Sequence, residues 1–339
     1  MKHLGDISKI NGADIEPVDI ISFGSPCQDL STSGTHAGIK HTANGDGETT
    51  RSGLFMEAVR IIREMREATN GKYPSFAIWE NVQGALGSNG GNDFRLVCEE
   101  LIKIAEPSAV MPAVPPRGWA TADSHVGDGW SLAYRILNSQ HIRTAQRRKR
   151  IYLVFDFRAQ RARQVLFERE GLRWDAQPRE KEPEKDTVRA QGSSGGESPR
   201  RVYVINQLGG RSERWIETQT SDTLCAANTA AVAYETDEGI IVRRFTPTEC
   251  ARLQGFPYNW GEIEQKDSFT DSEFAFWLDV RNTHAAVNGK TQRAYTREAM
   301  LKWYNKLHSY SAECKMWGNG IALPTALYCM EGIAEALNA

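Results

Sequence analysis

The sequence predicts an α/β fold, an open sheet with helices beside it, carrying a smaller second lobe. Three observations predict it. The apolar run Val18-Asp19-Ile20-Ile21-Ser22-Phe23, closed by Gly24-Ser25, reads as a strand ending in a loop. Phe76-Ala77-Ile78-Trp79 repeats that layout and runs straight into Glu80-Asn81-Val82. Between them, apolar residues at 54, 58, 61, 62 and 65 have helical spacing. In open α/β sheets, ligand and catalytic groups gather just beyond the carboxyl ends of the strands. One strand end here leads to the thiol of Pro26-Cys27-Gln28 and the other offers the carboxyl group of Glu80. Each alone is ambiguous, because a free Cys usually packs as a small core residue and a lone Glu is usually solvated. Their equivalent placement is the signal.

The later elements follow the same logic. Phe94, Val97, Leu101 and Ile104 repeat the helical spacing, and Ser131–Leu137 and Ile151–Phe155 read as strands. From about 177 to 199 the chain is almost free of apolar residues and reads as a linker. Beyond it, Val202–Ile205 and Ala230–Val242 read as strands of the smaller lobe. Thr246-Pro247-Thr248-Glu249 is a helix start with cap, proline and capping-box glutamate, and Gly255 ends that helix. Thr296–Leu307 and Thr325–Leu337 are amphipathic helices.

Composition sets wide bounds. The 339 residues leave room for two domains, or for one domain with an inserted lobe. The amino terminus lacks the pattern of a secretory signal, and no apolar run approaches a membrane span, so a cytoplasmic protein without a membrane partner is expected. The six cysteines are scattered, with no C-x-x-C pair and no His at metal spacing, which argues against a zinc site and a disulfide framework. Net charge is −2, so nucleic-acid binding would rest on local patches. Such patches exist: Arg143–Arg150 holds five basic residues in eight, and Arg158–Arg163, Arg200-Arg201, Arg211, Arg214 and Arg243-Arg244 follow.

Five motifs then stand in a fixed order: GSPCQDLS at 24–31, ENV at 80–82, QRRKR at 146–150, RRFTPTECARLQGFP at 243–257 and GNGIALP at 318–324. This set resembles the DNA cytosine-5 methyltransferases of bacteria and phages over nearly the whole chain. The resemblance implies a Rossmann-like methyltransferase sheet, S-adenosylmethionine as methyl donor, no metal, and double-stranded DNA with a flipped cytosine as substrate. It implies catalytic roles for Cys27, Glu80, Arg148 and Arg150. Cytosine C5 is a poor nucleophile, so a thiolate must first add to C6 while an acid supplies a proton at N3. Cys27 matches the nucleophile, Glu80 the acid and Arg150 the arginine that holds the base O2, with Arg148 in support. Asp6, Pro26, Asn319 and Gly320 match donor contacts, with Gly320 standing where many relatives carry Ser. Gln28, Ser31 and Ser33 match the loop that closes over the flipped nucleotide, and Arg211 and Arg244 are candidate DNA contacts.

The expected domains are a catalytic domain at 1–157, a target-recognition region at 158–241, supporting helices at 242–315 and a C-terminal helix at 316–339 that returns to the catalytic domain. The front departs from the family. Its opening strand and glycine-rich loop have no counterpart, and Gly5-Asp6-Ile7 is the first recognisable element. The sheet is therefore expected to lack about three strands on the family's strand order, leaving Val18–Phe23 as an exposed edge. Either a second polypeptide supplies the missing half or the chain is a truncated product, and three readings stay open: a cytosine-5 DNA methyltransferase, a DNA-binding subunit or truncated remnant of a split methyltransferase inactive alone, and an RNA cytosine-5 methyltransferase.

Overall fold

The computed structural model describes residues 4–25, 53–142, 144–167, 202–206, 214–217, 221–222, 231–236, 239–258, 260–261, 264–287, 289–307 and 309–338. Its larger layer is built from β1 (Ile20–Gly24), α1 (Gly53–Ala68), β2 (Phe76–Val82), α2 (Asn92–Ala105), β3 (Ala122–Gly127), β4 (Trp130–Asn138), β5 (Gln146–Arg147), β6 (Lys149–Asp156) and α3 (Ala162–Leu166). The central sheet has the order β1-β2-β6-β4-β3. β1 and β2 are parallel, Gly24 lying opposite Glu80, whereas β6 runs antiparallel to β2. That reversal sets the start of β6 beside the end of β2, with Val82 opposite Arg150.

Strand alternation divides the core in two. On one face Phe55, Val59, Ile62, Phe94, Val97 and Leu101 of α1 and α2 pack on Ala77, Trp79, Tyr134, Leu153 and Phe155. On the other, α3 packs on Phe76, Ile78, Ala133, Tyr152 and Val154 together with the C-terminal helix. Residues 158–166, read from sequence as the start of the recognition region, thus begin with chain that covers the central sheet.

The smaller lobe contains β7 (Val202–Asn206), β8 (Arg214–Glu217), β9 (Ser221–Asp222), β10 (Ala231–Thr236), β11 (Gly239–Arg244) and α4 (Pro247–Leu253). Four of these strands form an antiparallel sheet ordered β11-β10-β7-β8, so one sheet runs through residue 241 to Arg244. β9 instead pairs in parallel with β5, joining Gln146 to Ser221 and Arg147 to Asp222. The expected capping box is present: Glu249 N donates to Thr246 Oγ1 at 3.2 Å, and Thr246 N donates to Glu249 Oε2 at 2.8 Å. Four helices follow, α5 (Asp271–Val287), α6 (Arg297–Tyr304), α7 (Tyr310–Asn319) and α8 (Leu323–Asn338). α5 and α6 share their own small core around Phe269, Met300 and Tyr304, while α8 returns to the central sheet. No described helix is long and apolar enough to cross a membrane.

β1 is the edge of the sheet among the described residues. It is less bare than its sequence suggests. Ile21 and Phe23 pack against the first core and Ile20 against the second, while Val18 is exposed. The segment before it is clamped to α1 by Arg60, which donates to the carbonyls of Ile7 and Ile10 at 3.0 and 2.8 Å. Gly12 allows that approach, since a Cβ there would stand 2.2 Å from the carbonyl oxygen of Ile61.

Candidate active site

The site is assembled where β1 and β2 end and β6 begins. Ser25, the first residue after β1, is stitched to β2. Asn81 Nδ2 donates to Ser25 Oγ at 2.9 Å, and Trp79 Nε1 donates to the same oxygen at 3.2 Å. Both donors are buried, so the exit of the chain from β1 is fixed two residues before Cys27. The sequence singled out the motif around Asn81 but not this role. A side chain that ties neighbouring strand ends leaves no local sequence signal.

Glu80 projects from the end of β2. Its Oε1 stands 3.3 Å from Arg150 Nε, yet this buried oxygen accepts no hydrogen bond in the described structure. A Cβ at Gly24 would lie 3.6 Å from Glu80 Oε2, so glycine leaves the β1 side of the carboxyl group approachable. Burial pushes the Glu80 carboxyl above its ordinary value, against the opposing pull of Arg150 and Arg148. A carboxyl in this balance keeps its proton more readily than a solvated glutamate, while an arginine fixes its direction.

Arg148 is buried and reaches the end of α7. It donates from Nη2 to Gly320 O at 2.5 Å and from Nη1 to Gly318 O at 3.4 Å. Those carbonyls close the last turn of α7, where a cation also meets the negative end of the helix dipole. Gln254, fully buried, reaches the same turn, donating from Nε2 to Trp317 O at 3.0 Å. The backbone returns the contact, as Leu323 N donates to Gln254 O at 2.8 Å. Below the site, Tyr152 and Thr325 share a hydroxyl contact of 2.5 Å. Thr325 Oγ1 already donates to Ala322 O at 2.7 Å, so the phenol is the donor.

Glu80, Arg148 and Arg150 are therefore brought together, and the turn bearing Asn319 and Gly320 is tied to them through Arg148. Asn319 is exposed at the end of α7. Gly320 has φ −71°, and a Cβ there would meet nothing nearer than 3.4 Å, so packing does not demand glycine. Asp6 is held elsewhere. Its Oδ1 accepts from Ser8 N at 3.0 Å and Ser8 Oγ at 2.9 Å, which lowers its pKa, and its segment lies on α1, against the face opposite α8. Arg244 is exposed at the end of β11. Pro26, Cys27, Gln28, Ser31, Ser33 and Arg211 lie outside the described residues. Among the described residues, no cluster of His, Cys, Asp or Glu is arranged to hold a metal ion. Gln254 was missed as a site residue because its capping and packing signals dominate the sequence around it.

Residues 1–105 match the family described as C-5 cytosine-specific DNA methylase, a span that contains Cys27 and Glu80 but neither arginine. The chain is 25% identical to the DNA N-6-adenine-methyltransferase of Escherichia phage P1, over 99% of this chain and 55% of that protein. It is 25% identical to the type II methyltransferase M.HhaI of Haemophilus parahaemolyticus, over 75% of this chain and 70% of the relative. A further relative, M.BsuFI of Bacillus subtilis, is 28% identical over 44% of this chain and 27% of its own length. The chain thus spans about half of the phage relative and about a quarter of the Bacillus one. The fold is shared with the S. pombe Dnmt2 methyltransferase, at a TM-score of 0.51 and 14% identity, covering 100% of this chain and 85% of that one.

Proposed function

We propose that this chain activates cytosine for methyl transfer from S-adenosylmethionine to C5 in double-stranded DNA. The observation that supports the reading best is the half-buried Glu80 carboxyl, raised in pKa, whose buried Oε1 lacks a hydrogen-bond donor beside Arg150. A flipped cytosine would supply the missing partner. Glu80 protonates N3, Arg150 holds O2, and the thiolate of Cys27 adds to C6, so that C5 gains carbanion character. Asn319, on the turn tied to this cluster through Arg148, is the described residue that would hold the donor, which when bound supplies an electrophilic methyl group; Asp6 lies in the segment held on α1, apart from that turn. Loss of the C5 proton and elimination of Cys27 then restore the ring.

The name of the phage P1 relative raises adenine N6 as an alternative target. Transfer to an exocyclic amine needs no thiol addition and no acid at a ring nitrogen, so it leaves the Cys27–Glu80–Arg150 set without a task. The cytosine reading accounts for all three. A second reading concerns partners: the edge position of β1 favours a further strand, supplied by another polypeptide, as part of the donor site.

The decisive experiment needs no methyl donor. Addition to C6 makes the C5 hydrogen exchangeable, so DNA labelled with tritium at cytosine C5 should lose label to water in the presence of the chain. Cys27→Ser should stop the exchange. Exchange that survives this substitution, or no exchange with a folded chain bound to DNA, overturns the proposal.

A further inference from the structure

Two of the six cysteines, 64 residues apart in sequence, meet in space. Cys250 lies in α4 and Cys314 in α7, with their sulfurs 3.9 Å apart. They belong to the core of the smaller lobe with Phe245, Leu253 and Trp317, and both are free thiols. Their exposures differ. Cys250 is 3% exposed, whereas Cys314 is only half-buried. The pair joins the same two helices as the Gln254–Trp317 hydrogen bond, and Gln254 lies one helical turn beyond Cys250.

We propose that Cys250 and Cys314 form a dithiol site that low-molecular-weight disulfides convert to an intramolecular disulfide across α4 and α7. To bond, the sulfurs need to approach from 3.9 Å to about 2.0 Å. The geometry assigns the order of events. Cys314, accessible to solvent, attacks first: its thiolate displaces one thiolate from the small disulfide and keeps the other half as a mixed disulfide. Cys250 then loses its proton and attacks the Cys314 sulfur, expelling the second small thiol. One small disulfide is reduced to two thiols as two protein thiols are oxidised. The contact between the sulfurs favours this division of labour. The Cys250 S–H directed at Cys314 lowers the pKa of the Cys314 thiol, while that contact and burial push Cys250 upward. The four described cysteines, Cys98, Cys250, Cys314 and Cys329, are free thiols. The site is a pair of thiols brought together by the fold.

The test exposes the folded full chain to glutathione disulfide at graded ratios to glutathione, followed by intact-mass measurement and peptide mapping. The wild-type chain should lose about 2 Da, with a cross-link between the peptides carrying Cys250 and Cys314. Cys250→Ser should halt at a glutathione adduct on Cys314, and Cys314→Ser should form neither that adduct nor the cross-link. Circular dichroism of both variants verifies that they are folded. A wild-type adduct on Cys314 that persists without a cross-link, or a cross-link that forms only after denaturation, overturns the proposal. The readout does not involve DNA, so its failure leaves the cytosine reading untouched.

Discussion

Arg148 Nη2 donates to the carbonyl oxygen of Gly320 across 2.5 Å, spanning 172 positions of sequence. The bond fastens the segment that carries Arg150 to the turn that carries Asn319. Base-holding and donor-holding residues of the proposed mechanism are thereby joined through one guanidinium. A lysine cannot reproduce the fork, because a single ammonium would have to serve both the Gly318 and Gly320 carbonyls. Arg148→Lys should destabilise the chain by about 1–3 kcal/mol, the usual cost of a buried polar group left without its partner. Chemical denaturation measures this directly. A stability change within error would show that the clamp is not structural.

Glu80 yields a prediction in pH. Its carboxyl pKa is raised by burial in the folded chain, so the protonated form is the one the fold favours. The stabilising contribution is fully present below the ordinary carboxyl range and is lost as pH rises through the raised folded pKa. Glu80→Gln removes that loss. The variant should therefore gain stability relative to wild type as pH rises from 4 toward 8, while C5 exchange falls by about 10²–10⁴-fold. Melting temperatures across that range decide it. A gain that shrinks with rising pH would mean that the arginines, and not burial, control the group.

These two sites also mark what the sequence could reveal. β2 and β6 were legible because buried strands show as apolar runs, β1 because Ile20, Ile21 and Phe23 still pack on the core from the sheet edge, and α1 and α2 because one apolar stripe faces the sheet. α5 was not, since Phe274, Phe276, Trp277, Leu278 and Val280 form a cluster instead of a stripe with helical period, and Phe276 remains exposed. β3 was missed because it is an edge strand whose alternating residues include His125 and an exposed Val126. Glu80, Arg148 and Arg150 were legible through motifs. The Ser25–Asn81 stitch, the Gln254 clamp and the Cys250–Cys314 pair are contacts between distant segments, which periodicity and spacing do not encode.

Gly255 tests the clamp from its other side. Its φ is +79°, and a Cβ would lie 2.4 Å from Pro324 Cδ, in backbone-tied contact with the start of α8. Gly255→Ala combines left-handed strain with that clash and should cost about 2 kcal/mol or more. Gly320→Ser should be tolerated, because its φ is ordinary and space is available. Thermal unfolding of the two variants side by side separates the cases. Equal effects would contradict the packing described here.

The edge at β1 predicts self-association. A strand edge with unpaired backbone groups recruits another strand unless a charge or a cover prevents it. Ser22 is exposed in the middle of β1, so Ser22→Lys places a charge on that edge without disturbing Ile21 or Phe23. The wild-type chain should show concentration-dependent association in sedimentation velocity, and the variant should show less. Equal association in both would locate the contact on another surface.

Specificity is expected to reside in 158–241, the region that carries Arg211, and β5–β9 pairing gives this assignment a physical form. Gln146 and Arg147, next in the chain to Arg148 and Arg150, pair in the backbone with Ser221 and Asp222. A replacement of the region must therefore preserve a strand at 221–222, or it will disturb Arg148 and Arg150 along with recognition. Contacts to phosphate would alter binding to all sequences alike, whereas contacts to base edges would change which sequence is preferred. Exchanging 168–241 for a relative's segment, with 221–222 retained and α3 left on the central sheet, should redirect C5 exchange to a different DNA sequence while Cys27 remains essential. Sequencing the sites that exchange in a mixed oligonucleotide pool measures the shift. An active chimera with an unchanged preference would place recognition elsewhere in the chain.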